Sequence, residues 1–315
     1  MLKRGYRFTD DRQPKQHQNF KTSGAMNTPN EQTQGFIYAL SAFLMWGFLP
    51  LFFGLFGKGV SAYEILAHRI IWSFALMAAF LLMSKKAKNI KILLQDTKTA
   101  KMLFLSGTLI SLNWGVYVYA VNNGKILESS LGSFINPLVN MLLGVIIFKE
   151  KLGKMEIFGV CMVVLAVSVQ VLHFGDLPLV AIFSALSFAF YAAVRKSIKI
   201  AALDGLFIET MLVVPFALCY VFYLAASEQS HFGLNQNSIL FVLSSFVTVV
   251  PLMAFNAATT RINLSTIGYL QYLSPSIGML CAVFVFGETL DIYRLASFCL
   301  IWFALLVVAL GRIRH

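Results

Sequence analysis

Glu64, His68 and Arg69 stand together in an otherwise apolar run, AYEILAHRIIWS at 62–73. Positions four apart on a helix share a face, which joins Glu64 to His68, and Arg69 lies nearly a quarter-turn further round. An arginine there suits an anionic group on a substrate. Glu64 or His68 could carry a proton, and histidine titrates nearest neutrality. The plainer alternative is an ion-paired cluster at an interface, with Arg69 reaching out to water. Glu209 is a second carboxylate inside an apolar run and the third candidate for proton coupling. Asn113, Trp114 and Tyr117 follow one side of another helix and either line a cavity or make interhelical and interfacial contacts. Asn136, Pro137 and Asn140 form a polar patch, because Pro137 donates no backbone hydrogen bond and frees a carbonyl near Ser133. Gln271, Tyr272, Ser274 and Pro275 repeat that pattern. The substrate-binding candidates are therefore Arg69, Asn113, Trp114, Tyr117, Asn136, Asn140, Gln271 and Tyr272. For the proline-centred groups the alternative is a kink that serves only packing.

The elements that must position these residues are membrane helices. Hydrophobic residues make up 58% of the 315 and charged residues only 12%, with a mean hydropathy of +0.74. A soluble chain of this length needs a charged surface that this one lacks. The apolar residues come in runs of about 20, the length of helix that crosses a hydrocarbon core. Ten segments fit, near 35–56, 62–83, 102–121, 127–148, 155–173, 178–195, 205–225, 238–257, 264–286 and 291–311. Membrane-barrel strands would alternate over about 10 residues, and these runs are continuous.

The net charge of +11 sits in short stretches between the runs, which fits membrane orientation and argues against nucleic acid. With the N-terminus in the cytoplasm, 21 of the 25 Lys and Arg fall inside, leaving Lys58, Arg69, Lys125 and Arg294 elsewhere. Both termini are then cytoplasmic. Residues 1–34 read as a basic, disordered tail. Cys161, Cys219, Cys281 and Cys299 lie singly in apolar runs, with neither disulfide nor zinc spacing. HExxH, GxSxG, P-loop and paired-Cys motifs are absent, so no catalytic residue, metal or cofactor is expected, and any pumping draws on an ion gradient.

The chain is duplicated. Leu127–Leu152, LESSLGSFINPLVNMLLGVIIFKEKL, returns as Ser265–Leu290, STIGYLQYLSPSIGMLCAVFVFGETL. Pro137 and Pro275, Glu150 and Glu288, and Leu152 and Leu290 all pair at one offset of 138 residues. A proline and a terminal glutamate in one ungapped register are hard to obtain by chance. Repeats at 35–173 and 178–311 each hold five spans, an odd number, so the second copy inserts upside down. Such inverted repeats surround a mid-membrane site in alternating-access carriers. Glu150 and Glu288 read as structural marks, with Lys149, Lys151 and Lys154 offsetting the acid at a helix C-terminus. Trp46 and Tyr191 read as core aromatics before substrate-gripping ones.

Several motifs resemble the EamA-type drug/metabolite transporters, and more closely their RarD-type permease branch. They are Trp46-Gly47 with Pro50, EILAHRIIWS at 64–73, NWGVYVYAVNN at 113–123, LESSLGSFINPL at 127–138, FAFYAAVRK at 188–196, TVVPL at 248–252 and LSTIGYLQY at 264–272. The resemblance covers residues 35–311. It implies a multi-pass bacterial inner-membrane permease, in a family associated with chloramphenicol sensitivity.

The expectation is an all-α membrane protein, ten transmembrane helices as two inverted five-helix EamA-like repeats. It works as a secondary transporter of a small metabolite or drug, with proton coupling as a possibility. Its partners are membrane lipid and a small-molecule substrate, with no nucleic acid, and a homodimer is compatible with the sequence. The rivals are a lipid-carrier flippase, a channel and a membrane enzyme acting on lipid. The long tail departs from the family and points to Met26 as the initiator. N-terminal sequencing of the native protein should then begin at or just after Met26, and a start at Met1 would overturn this.

Overall fold

A computed structural model describes residues 28–56, 59–84, 87–122, 126–174, 179–198, 200–287 and 292–313. Most of the basic tail and Glu288 lie outside them. Among the described residues the chain is helical throughout, without strands. The helices are α1 (Pro29–Gly47), α2 (Leu49–Phe53), α3 (Ala62–Met83), α4 (Ala87–Gln95), α5 (Thr97–Asn122), α6 (Ile126–Phe148), α7 (Lys154–Phe174), α8 (Leu179–Ser197), α9 (Ala202–Ala226), α10 (Gln236–Thr259), α11 (Leu264–Gln271), α12 (Leu273–Phe284) and α13 (Ile292–Ile313). Six stretches are long and apolar enough to cross a membrane: α1 with α2, α3, α8, α9, α10, and α11 with α12. Residues 132–148 and 295–311 are shorter apolar helical pieces.

Local sequence explains the boundaries. The first helix starts at Pro29, six residues before the expected 35, because Thr28 and Glu31 form a reciprocal capping box that satisfies two orphan N–H groups. Pro50, in the first turn of α2, accompanies the break after Gly47. The basic connection at 85–101 contains amphipathic α4, whose buried Ile90 and half-buried Leu93 dock on the bundle. Asp96 then starts α5. The Thr99 hydroxyl, together with the Lys98 N–H, holds its carboxyl below the usual carboxylate range. Inside the rods, Ser and Thr return their hydroxyls to carbonyls on their own helix, as Ser111 does to Gly107 and Thr210 to Leu206, since hydrocarbon offers no other partner.

Taking α1–α2 and α11–α12 as single rods and setting α4 aside, the helix pairings survive exchange of the two halves. α3 packs on α9, α6 on α11, and α7 on α13; α1 on α10 matches α5 on α8, and α3 on α10 matches α5 on α9. The corresponding rods run antiparallel. Tyr63 meets Tyr220 while Phe74 meets Phe207 between α3 and α9. Met155 faces Gly311 while Ser297 bonds the Ala166 carbonyl between α7 and α13. In a two-fold arrangement, residues that touch their own counterparts lie at the axis. Phe134 and Tyr272, 138 apart, do so: the Tyr272 hydroxyl donates to the Phe134 carbonyl at 2.9 Å.

Three clusters of buried side chains result among the described residues. The first draws mainly on α1, α3, α5, α8, α9 and α10, the second on α6, α7, α11 and α13, and the smallest joins Ala67 and Ile70 of α3 to Val214 and Ala217 of α9. The α6–α11 crossing is tight, because a Cβ on Gly268 would stand 2.6 Å from the Pro137 carbonyl oxygen and 2.8 Å from Met141 Cγ. Beyond it, Lys149 adopts φ 53° and turns Glu150 onto the start of α11. There the Glu150 carboxylate accepts from the Leu264 N–H at 2.7 Å, the Ser265 N–H at 2.9 Å and the Ser265 hydroxyl at 2.6 Å. Lys196 Nζ approaches it at 3.6 Å. The expected stabilisation of Glu150 by Lys149, Lys151 and Lys154 is thus corrected: the partners are a helix N-terminus, where an acid is favoured, and Lys196. Gly268→Ala should push the helices apart and cost roughly 1 to 3 kcal/mol. That would appear as a lowered thermal unfolding midpoint in detergent, whereas Gly278→Ala, with nothing within 4 Å, should leave it unchanged.

Candidate functional site

The three charged candidates of α3 share a helix but not a partner. Glu64, 1% exposed, turns to the segment between α9 and α10. It accepts from the His231 N–H at 2.6 Å and the Ser230 hydroxyl at 3.3 Å, and its other oxygen lies 2.8 Å from His231 Nδ1. His68 packs against the rings of Phe241 and Phe232, centroids 4.2 and 4.9 Å away, which also approach each other at 6.3 Å, and its Nε2 has no hydrogen-bond partner. Arg69 faces α10 and α5: its Nε donates to the Thr248 hydroxyl at 3.0 Å. Its guanidinium carbon stands 5.4 Å from the Phe53 ring centre and 6.0 Å from that of Trp114. Among the described residues no carboxylate pairs with Arg69, and the expected ion-paired cluster does not form. A cavity of about 50 Å³ opens beside it, lined by Arg69, Phe53, Trp114, Tyr117 and neighbouring aliphatic side chains.

The amides at the axis form a second group. Asn140 is fully buried, and its Nδ2 forks to Gln271 Oε1 at 2.7 Å and Asn136 Oδ1 at 3.2 Å. Its own Oδ1 has no partner. The structure therefore brings Asn136, Asn140 and Gln271 together across the two halves, with Tyr272 beside them spending its hydroxyl on Phe134. Asn113 lies elsewhere. Its amide donates to the Ser184 carbonyl at 2.8 Å and the Ser187 hydroxyl at 3.2 Å, a tie between α5 and α8.

A third group surrounds Glu209. Arg195 Nη1 lies 3.4 Å away, the two side chains being 2% and 1% exposed. Ser106 donates its hydroxyl to Glu209 Oε1, and the Tyr191 hydroxyl lies 3.3 Å from Oε2. Asn256 Nδ2 donates to that hydroxyl at 2.7 Å. Burying an ion pair is costly unless the remaining lone pairs are filled; here Ser106 of α5 and Tyr191 of α8 reach the Glu209 oxygens, and Asn256 of α10 donates to Tyr191. Arg195 lies so close over Gly205 that a Cβ there would overlap its guanidinium. Tyr191 is core, as expected, and Trp46 packs with Phe43, Phe188 and Phe255.

Sequence reading missed Thr248, Phe53, Ser106, Arg195, Asn256 and His231. Arg195 had been counted as an orientation charge at the end of a span, yet its four-residue spacing from Tyr191 on one helix face was a usable signal. His231 had none, because its partner lies 167 positions away. Among the described residues no three His, Cys, Asp or Glu side chains come together as metal ligands would.

Comparison with known proteins fits this arrangement. The model of the EamA-like transporter family matches twice, over residues 33–172 and 177–310. The chain is 42% identical to Protein RarD of Salmonella typhi over 89% of this chain and 96% of that one. It is 37% identical to a protein of Vibrio cholerae described as an uncharacterized transporter, over 91% and 96%. It is 23% identical to the chloramphenicol-sensitive protein RarD of Pseudomonas aeruginosa, over 87% and 93%. A solved crystal structure shares the fold with a TM-score of 0.67 at 16% identity, covering 88% of this chain and 97% of the other. A duplicated bundle of apolar helices thus has its place: the chain belongs to the EamA-like transporter family, among its RarD-type permeases.

Proposed function

We propose that this permease is a secondary transporter of small amphipathic, amino-acid-like anions or zwitterions, working by alternating access of two inverted five-helix repeats. The observation that carries this is Arg69. A guanidinium without a carboxylate partner is expensive inside a membrane bundle, and the groups around it are a hydroxyl, two aromatic faces and a small cavity. A carboxylate on the transported molecule would supply the missing charge, and Phe53, Trp114 and Tyr117 would hold a flat or apolar body. Ten spans, cytoplasmic termini and the bacterial inner membrane belong to the same reading and rest on the charge bias.

The flippase reading has one observation in its favour, an apolar groove of about 770 Å³ between α5, α8 and α9 that opens sideways. Its lining, from Phe104 to Phe216, contains no charged residue. An acyl chain fits there, but a lipid headgroup finds no counter-charge, so the carrier reading is preferred. For coupling, Glu209 is the strongest of Glu64, His68 and Glu209, because neutralising it would release Arg195 within the bundle and loosen four helices at once.

Uptake into proteoliposomes should separate these roles. Arg69→Ala should lower phenylalanine flux about 10- to 100-fold, the worth of a charge-assisted hydrogen bond of roughly 1.5 to 3 kcal/mol, and leave any chloramphenicol flux unaffected. Equal loss for charged and neutral probes, with folding intact, would remove the anion site. Glu209→Gln should keep substrate counterflow but lose uphill accumulation driven by a proton gradient. Accumulation that persists in this variant would show that Glu209 is not the coupling group.

A further inference from the structure

The segment between α9 and α10, residues 227–235, is built as one piece. Its inner bonds run from Asn235 Nδ2 to the His231 carbonyl at 3.1 Å and from the Phe232 N–H to the Ser230 hydroxyl at 3.2 Å, and the Gly233 N–H ties it to the Ser238 hydroxyl in the first turn of α10 at 2.7 Å. At one end Glu228 sits at φ 56°, a conformation non-glycine residues seldom hold. At the other, Asn235 caps α10 through the Ser238 N–H at 3.0 Å. The piece lies over the N-terminal half of α3. Its polar attachment there, among the described residues, is a single side chain: all three contacts from Ser230 and His231 end on the Glu64 carboxylate.

What it covers is polar and unsatisfied. Phe232 is 43% exposed while His68 beneath it is 3% exposed, so Phe232 is the outer layer and His68 the inner one. The Phe232 ring lies 4.9 Å from His68 and 6.0 Å from Trp72. His68 Nε2 and Trp72 Nε1 are both buried without a hydrogen-bond partner. Two such groups side by side on one helix face are each worth about 1 to 3 kcal/mol when left unmet. A buried site that tolerates them is one where something else supplies the acceptor. They stand on α3 within one turn of Arg69.

We propose that residues 227–235 are a lid on the substrate route, latched by Glu64, and that His68 and Trp72 are the polar subsite it covers. When the lid lifts, Phe232 leaves the His68 ring, and an acceptor group of the entering molecule meets His68 Nε2 and Trp72 Nε1 before its carboxylate reaches Arg69. Phe241, on α10, stays behind as the fixed wall of the slot. The lid needs no new hinge, because both of its ends are turn positions outside α9 and α10. The subsite deepens the transport reading and rests on it; the lid itself is tested without a substrate.

In a background without Cys161, Cys219, Cys281 and Cys299, His68→Cys in nanodiscs should react slowly with a water-soluble maleimide. Adding Glu64→Ala should raise that rate at least tenfold, and His231→Ala, which leaves α3 untouched, should do the same. A rate unchanged in both folded variants overturns the lid. The second arm pairs Glu64→Cys with His231→Cys and follows phenylalanine counterflow in proteoliposomes. Oxidation should stop flux and reductant restore it, while the cysteine-free parent is indifferent to both. Flux that continues through the cross-linked protein overturns the lid's place on the route and leaves the carrier reading standing. Absence of flux in the parent as well overturns the carrier reading for this probe and leaves maleimide access to decide the lid. With flux established, Trp72→Phe keeps the ring and removes the donor, and should weaken half-saturation several-fold. No change there removes Trp72 from the subsite.

Discussion

A helix that starts inside an apolar bundle exposes N–H groups that lipid cannot satisfy, and the way α11 starts governs the rest of the molecule. Its first two N–H groups are taken by Glu150, at 2.7 and 2.9 Å, a residue of the other half of the chain. For the carboxylate to arrive there, α6 must end in a left-handed turn at Lys149. Gly144 must also lack a side chain, since a Cβ would stand 2.5 Å from the Glu150 carboxylate. Charge-assisted bonds of this kind are roughly twice as strong as neutral ones, and they join the two repeats at one end of the crossing. Lys196 completes the site from α8 and reaches the end of α10 and the turn after it, donating to the Thr259 carbonyl at 3.4 Å and the Ile262 carbonyl at 2.6 Å. Three helix termini and one helix start therefore depend on a single ion pair. The antiparallel stacking of α6 on α11, with Pro137 against Gly268, is the register that this anchoring permits.

Seen from that anchor, the buried polar groups divide by whether they are met. Around Glu209 both oxygens are met, by Ser106 from α5 and by Tyr191 and Arg195 from α8; at the axis, Asn140 joins Asn136 and Gln271 across the halves. Networks of this sort specify one packing, although Asn140 Oδ1 and Arg195 Nε are left without a hydrogen-bond partner. The face of α3 differs. Among the described residues Arg69 has a hydroxyl and two rings but no counter-charge, and His68 Nε2 and Trp72 Nε1 have rings nearby but no hydrogen-bond partner. Unmet groups also occur at Arg195 and Asn140, so what sets α3 apart is that Arg69, His68 and Trp72 stand within about one turn of each other with a cavity beside Arg69.

The duplication was legible because it is written in the order of residues: a proline and a glutamate 138 positions apart survive in register whatever the fold does. The antiparallel pairing of corresponding rods then follows from an odd number of spans per copy. Partners across the copies were not legible. Glu150 looked like an acid at an unfavourable helix end, and only the fold brings the N-terminus of α11 to it. Arg195 looked like a cytoplasmic charge because it closes an apolar run, yet α9 folds over it with Gly205 against the guanidinium. Glu64 reads in sequence beside His68 and Arg69, but its hydrogen bonds go to Ser230 and His231, since helix periodicity describes a face and says nothing about which loop lies on it.

The exchange symmetry of the helix pairings stops at the two ends. One end is closed by Glu150 on the start of α11 with Lys196, bonds that belong to helix termini and cannot part without leaving N–H groups bare. The other is closed by Glu64 on a loop whose remaining bonds run within itself and to the adjoining ends of α9 and α10, so parting it from α3 exposes little unpaired backbone. Two copies of one ancestral unit would be expected to open with equal ease at either face, and here they do not. The Glu64 end has the lower cost of separation, because its donors there are a serine hydroxyl, a histidine ring and one N–H beside water. Opening the Glu150 end requires a replacement for helix-capping bonds, which motion of α8 with Lys196 alone does not supply. Under the alternating-access cycle proposed above, that difference would bias the empty carrier toward access from the Glu64 side, where Arg69, His68 and Trp72 stand within about two turns of Glu64.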